Sequence, residues 1–245
     1  MNNIKIGFIL TSIAGLSTLI GALIIFFKGK QEKIIAYSLS FATGVMITVS
    51  LLDLIPEAFN MLSNIYSLFP TIIYILIYIN IGFIFSMLLD KYLPDNNNKL
   101  YRVGIISMLA IILHNIPEGI ATFMATNSDI SLGISLTIAI ALHNIPEGIS
   151  IAIPIYFSSK SHLKAIVYTL ISGLSELLGA VITYFFLSDL INDKIMGFLF
   201  SFIAGIMIYI SIYELFPTAL KYRMKKTYLF LLIGIIFMII NLFLF

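Results

Sequence analysis

Apolar residues in this chain come in long unbroken runs separated by short polar breaks, with little of the alternation that marks a half-buried strand. A helix needs roughly 20 apolar residues to cross the hydrocarbon core of a bilayer. Eight runs meet that requirement and predict helices over about 5–27, 34–56, 70–90, 103–126, 131–157, 164–187, 195–217 and 227–245. The first run is too long for a signal-peptide core, lacks a small-x-small cleavage site and ends at the basic Lys28 and Lys30, so it reads as a true span. No break is long enough for a separate soluble domain, and 1–245 therefore reads as a single polytopic membrane domain. The longest polar connection, from Asp90 to Arg102 with its Asn-rich tract, reads as a flexible solvated linker.

Composition sharpens the picture. Only 11% of residues are charged and 60% are hydrophobic, with a mean hydropathy of +1.06. A soluble domain carries about 25% charged residues, so a water-soluble fold is excluded. Cysteine is absent, which removes disulfides and thiolate metal sites. Twelve of the fourteen basic residues fall in the breaks after helices 1, 3, 5 and 7 or at their edges, leaving Lys5 and Lys194 for the other side. By the positive-inside rule those breaks are cytoplasmic loops. The expectation is an all-α integral membrane protein of the cell membrane, eight transmembrane helices, both termini extracytoplasmic. No nucleic-acid partner is expected.

The chain also repeats itself. His114-Asn-Ile-Pro-Glu-Gly-Ile120 recurs letter for letter as His143 to Ile149, and the match extends back to Ala110 and Ala139 with one difference. The copies lie on consecutive, hence antiparallel, spans. A looser echo relates Gly44–Phe59 to Gly205–Leu220, keeping glycine, methionine, serine, proline and an acidic residue in register. Inverted repeats of this kind place a substrate site near the midplane, at the repeat interface.

The polar residues inside these runs carry the candidate chemistry. A charged group at the bilayer centre costs at least about 2.5–3.5 kcal/mol on insertion scales, so Asp53, Glu57, Glu118, Glu147, Glu176 and Glu214 need partners or a purpose. His114 and Glu118 are four residues apart on one helix face, as are His143 and Glu147; Asn115 and Asn144 lie beside them. Pro117 and Pro146 lack an N–H and are expected to kink their helices next to these side chains. Two imidazoles, two carboxylates and two amide oxygens suit Zn²⁺. They would also accept Fe²⁺, Mn²⁺ or Co²⁺, because ligand type discriminates weakly along the first row. Glu176 adds a third carboxylate, enough for a second cation or a proton. Asp53 and Glu57 at one mouth and Glu214 at the other would draw cations along a pathway. His162 is expected to be a solvated loop residue.

Together, the motifs HNIPEGIATFMA, HNIPEGISIAIP and SGLSELLGA resemble those of the ZIP family of divalent metal transporters, and the resemblance covers essentially the whole chain. It implies a two-metal centre. One ion would be held by His114, Glu118, His143 and Glu147, its neighbour by Asn115, Asn144 and Glu176, with Glu118 and Glu147 bridging. It further implies uptake of zinc and of iron, manganese or cobalt into the cytoplasm, a homodimer, and alternating access of an elevator kind, with no cofactor and no catalysed reaction. The chain departs from some members: the loop between spans 3 and 4 lacks a histidine cluster, and Asn144 stands where some relatives have aspartate. The rival reading is an intramembrane metal-dependent hydrolase, against which the near-symmetric ligand set argues, since a catalytic zinc keeps an open position and a separate base. A proton-coupled carrier of organic cations is a third.

Overall fold

The computed structural model describes residues 2–93, 98–187 and 192–244. Within them the chain forms eight helices long and apolar enough to cross a membrane: α1 Asn2–Phe26, α2 Gln31–Ser63, α3 Leu68–Tyr92, α4 Lys99–Ser128, α5 Ile130–Ser159, α6 His162–Phe185, α7 Asp193–Leu220 and α8 Thr227–Leu244. Among the described residues there is no strand; the helices satisfy their backbone groups internally, as a bilayer interior requires. Residues 94–97, the middle of the predicted linker, lie outside the described residues, as does Phe245 at the end of the last predicted span.

Most helices run further than the apolar pattern suggests, because polar residues cap them. Asn98 accepts from Tyr101 N at 3.3 Å, Ser161 from Lys164 N at 3.2 Å and Asn192 from Ile195 N at 3.1 Å. Such caps satisfy backbone donors that the first helical turn leaves free. Asp129 does more. It is the last residue after α4 and the cap of α5, accepting from Ser131 N and Leu132 N at 2.7 and 3.0 Å. One residue thus joins the two motif-bearing helices as a tight antiparallel hairpin.

The helices fall into two groups. α1, α4, α5 and α6 pack against one another, while α2 pairs with α8, α3 with α7, and α2 meets α7. Small residues make the crossings close, as in other membrane bundles. A Cβ on Gly119 would strike the carbonyl of Glu176, and one on Gly179 that of Ile116; the α1–α5 crossing repeats this with Gly148 against Thr18 and Gly21 against Ile145. Gly44 and Gly234 stand in the same relation across α2 and α8, Gly205 and Gly82 across α7 and α3. The crossings therefore come in matched pairs. The inverted repeat extends beyond the two segments readable in sequence, relating α1 to α6, α2 to α7, α3 to α8 and α4 to α5.

The prolines act differently in the two halves of this pattern. Pro117 and Pro146 sit inside helices that continue unbroken through them. Before Pro56 and Pro217, by contrast, the helix widens into π turns at Ser50–Leu54 and Ile210–Leu215. A proline removes one ladder bond and crowds the carbonyl four residues back; a π turn absorbs that conflict and is frequent at functional sites. Each π turn carries one of the predicted pathway acids, Asp53 or Glu214.

Candidate metal centre

Where α4 and α5 lie side by side, the two copies of the motif face each other. Glu118 Oε1 lies 2.7 Å from His143 Nε2 and 3.1 Å from His114 Nε2, and His114 Nε2 is 3.3 Å from Glu147 Oε1. The two imidazole centroids are 6.1 Å apart. One ligand atom each from His114, Glu118 and His143 falls within 4.8 Å of the others. Four ligands around a tetrahedral zinc, with bonds near 2.0–2.1 Å, are separated by about 3.3 Å, so the observed spacings are those of a metal-sized cluster. Of these contacts, the one between His143 and Glu118 is a hydrogen bond.

The surroundings leave acceptors waiting. His114, Asn115, Glu118, His143, Asn144, Glu147 and Glu176 are all buried, Glu118 the most exposed at 5%. Asn115 donates from Nδ2 to the Ser172 carbonyl at 3.1 Å. Asn144 donates to the Ala14 carbonyl at 2.9 Å and to Glu176 Oε2 at 2.8 Å. These bonds fix both amides so that their oxygens stay free. Asn115 Oδ1, Asn144 Oδ1, Glu118 Oε2, both Glu147 oxygens and Glu176 Oε1 have no hydrogen-bond partner. The His114–Glu147 contact has the distance of an ion pair without the angle of a hydrogen bond. No lysine or arginine pairs with these three carboxylates among the described residues. Buried, unpaired carboxylates are costly, and a divalent cation is the group whose charge and acceptor demand would offset that cost.

A cavity leads to the site from one end. It has a volume of about 660 Å³ and runs between the two helix groups, lined by Asp53, Glu57, Glu118, His143 and Asn241 among others. Its wall comes from the halves of α2, α4, α5, α7 and α8 nearest the chain termini, so it opens at that end. Asp53 lies within electrostatic range of His143, Glu118, His114 and Glu57. Glu214 is not on this cavity. It lies at the opposite end, where the basic loops are, close to Asp90 and Arg102.

The structure thus clusters His114, Glu118 and His143 with Glu147 against His114, bonds Asn144 to Glu176 and Asn115 to the Ser172 carbonyl, places Asp53 and Glu57 on the approach, and puts Glu214 away from it. It corrects the linker: Asp90 and Arg102 belong to α3 and α4 and are ion-paired at 2.8 Å, so the connection is confined to the stretch between Tyr92 and Lys99. His162 is exposed as expected, but its ring stacks on Phe26 at 5.0 Å and leans on Tyr156 at 4.5 Å. Sequence reading missed Asn241, the lone amide of an otherwise apolar last span, which donates to the Ala139 carbonyl at 3.1 Å beside the cavity.

Comparison with known proteins agrees with this arrangement. The family model described as ZIP zinc transporter matches residues 94–242. A zinc transporter ZupT of Clostridium perfringens is 37% identical over all of this chain and 98% of its own length. Those of Chlorobaculum parvum and Streptococcus mutans are 42% and 38% identical, covering 90% and 97% of both partners. Two antiparallel helices presenting one duplicated ligand set, in a chain that matches along its whole length, make this protein a member of the ZIP family of zinc transporters.

Proposed function

We propose that the chain carries Zn²⁺ across the cell membrane into the cytoplasm. Fe²⁺, Mn²⁺ and Co²⁺ are further cargoes on the same donor chemistry. The observation that carries this reading is the buried, metal-sized cluster of His114, Glu118 and His143, with Glu147 3.3 Å from His114 and several unpartnered acceptors around it, at the end of a cavity between two helix groups. Asn115, Asn144 and Glu176 offer a second position beside it, bridged by Glu118 and Glu147. A cation entering past Asp53 and Glu57 meets Glu118 and His143 first. Movement of one helix group against the other, of an elevator kind, then closes that approach and opens the end that holds Glu214. The basic loops after α1, α3, α5 and α7 support an orientation with those loops in the cytoplasm and both termini outside. The protein works as a homodimer in this reading, and α3, the least buried span, with Asn80 on its exposed face, offers a contact surface.

Zinc influx into proteoliposomes loaded with a metal-sensitive dye tests the proposal. Influx above protein-free vesicles is expected; tight zinc binding without influx under any gradient would overturn it. The hydrolase alternative has lost its support, because the family consists of transporters.

A further inference from the structure

The inverted repeat allows the open and closed ends of the seam between the helix groups to be compared position by position. The motif relates His114 to His143, and the glycine crossings relate Gly44 to Gly205 and Gly82 to Gly234. In these registers Asp53 and Leu242 on the cavity wall correspond to Glu214 and Asp90 at the basic end, and Ser131 at the start of α5 corresponds to Arg102 at the start of α4. At the open end, Ser131 and Leu242 carry no charge. Their counterparts at the closed end form an ion pair.

That pair crosses the seam. The Arg102 guanidinium, on α4, donates to the main-chain carbonyl of Asp90 and, at 2.8 Å, to its Oδ1. Asp90 lies on α3, in the other helix group. Its Oδ2 accepts from the Tyr209 hydroxyl of α7 at 3.1 Å. Tyr209 is itself held by stacking on Tyr213 at 5.1 Å and by the edge of Phe83 at 5.2 Å. Arg102 and Asp90 are only 21% and 24% exposed, so water and salt screen them less than a surface pair. A simple staple for the α3–α4 connection would not need the bond from α7. The bond from α7 anchors Asp90 within its own helix group, so that Arg102 on α4 ties one group to the other at the place where the repeat puts the second mouth.

We propose that the Arg102–Asp90 pair, braced by Tyr209, is a latch: it holds the basic end of the seam shut while the other end is open, and it must part for the cation to leave. Because the open end has no equivalent pair, the latch also biases the resting protein toward the conformation open at the termini end. This inference rests on the transport reading, but its test needs neither metal nor flux.

The chain has no cysteine, so single thiols report conformation cleanly. Ser107 and Leu136 are repeat-related; Leu136 lines the cavity and Ser107 is buried without a hydrogen-bond partner. Ser107→Cys and Leu136→Cys would be introduced separately into the full chain and labelled with a polar thiol reagent, with and without Arg102→Gln. The expected result is faster labelling at Ser107→Cys, by about fivefold for the loss of a half-buried charged bond, together with slower labelling at Leu136→Cys. Asp90→Asn is expected to act in the same direction, and Arg102→Lys less strongly. Unchanged rates at both positions, or a rise at both, would overturn the latch, the second outcome marking general loosening. Should Arg102→Gln fail to fold, Asp90→Asn, which keeps the side-chain size, carries the same two-sided expectation. Absent zinc influx with the opposed labelling changes intact would strike the transport reading and leave the latch standing.

Discussion

Glu118 and Glu147 occupy the same place in identical seven-residue sequences, yet they do not stand in the same surroundings. Glu118 has an imidazole on each side, at 2.7 and 3.1 Å, and lines the cavity with His143. Glu147 has one imidazole contact, at 3.3 Å, both oxygens without a hydrogen bond, and no place on the cavity wall. Asn115 has one acceptor for its amide, Asn144 two. The packing beneath is alike, with Gly119 and Gly148 each pressed against a carbonyl. Identical side chains on a like scaffold stand in unequal surroundings, Glu118 beside the cavity and Glu147 away from it. In the alternating-access reading proposed above, the conformation that opens the other end would exchange these roles.

That comparison can be sharpened by experiment. The largest effect should come from the shared scaffold: Gly119→Ala and Gly148→Ala each force a methyl group against a backbone carbonyl, and overpacking of this kind costs about 1–3 kcal/mol. Thermal unfolding of the two variants should show similar losses; a loss confined to one would mean the scaffold is not symmetric. Next, Ala121→Cys and Ser150→Cys probe repeat-related positions three residues past each glutamate. Ala121 lines the cavity and Ser150 is buried, so a polar thiol reagent should react about tenfold faster at the first, because the second must wait for an opening. Equal rates would break the comparison. The smallest effect concerns the amides. Asn144→Ala removes two hydrogen bonds and Asn115→Ala one, each worth about 1 kcal/mol, so the metal-free protein should lose more stability at Asn144, and the reverse order would contradict the assigned bonding.

Much of this was legible in the sequence, for physical reasons. Apolar run length gives spans because hydrocarbon thickness is fixed, and charged residues inside a run announce a site because they are expensive there. The duplicated motif named six of the seven candidate ligands because each is chemically distinctive, and Glu176 stood out as a carboxylate inside an apolar span. The repeat relations of α1 to α6 and α3 to α8 were not legible: they are carried by glycines such as Gly21, Gly179, Gly82 and Gly234, whose message is the absence of a side chain. The π turns around Asp53 and Glu214 were hidden too, since a proline announces a disturbed ladder without saying how it is repaired; at Pro117 and Pro146 the helix simply continues. Asp90 and Arg102 read as solvated linker ends because sequence shows charge without showing what stands opposite, and Asp90's partner Tyr209 lies 119 residues further on.

The central claim is that the two motif copies form one cation site that neither can supply alone. Zinc influx into proteoliposomes, compared among the wild type, Glu118→Ala and Glu147→Ala, tests it most directly. Robust influx is expected in the wild type and a loss of about a hundredfold in each variant, since removing one partner of a buried charged cluster typically costs about 3 kcal/mol or more. Near-normal influx in either variant, with the protein folded, would contradict it.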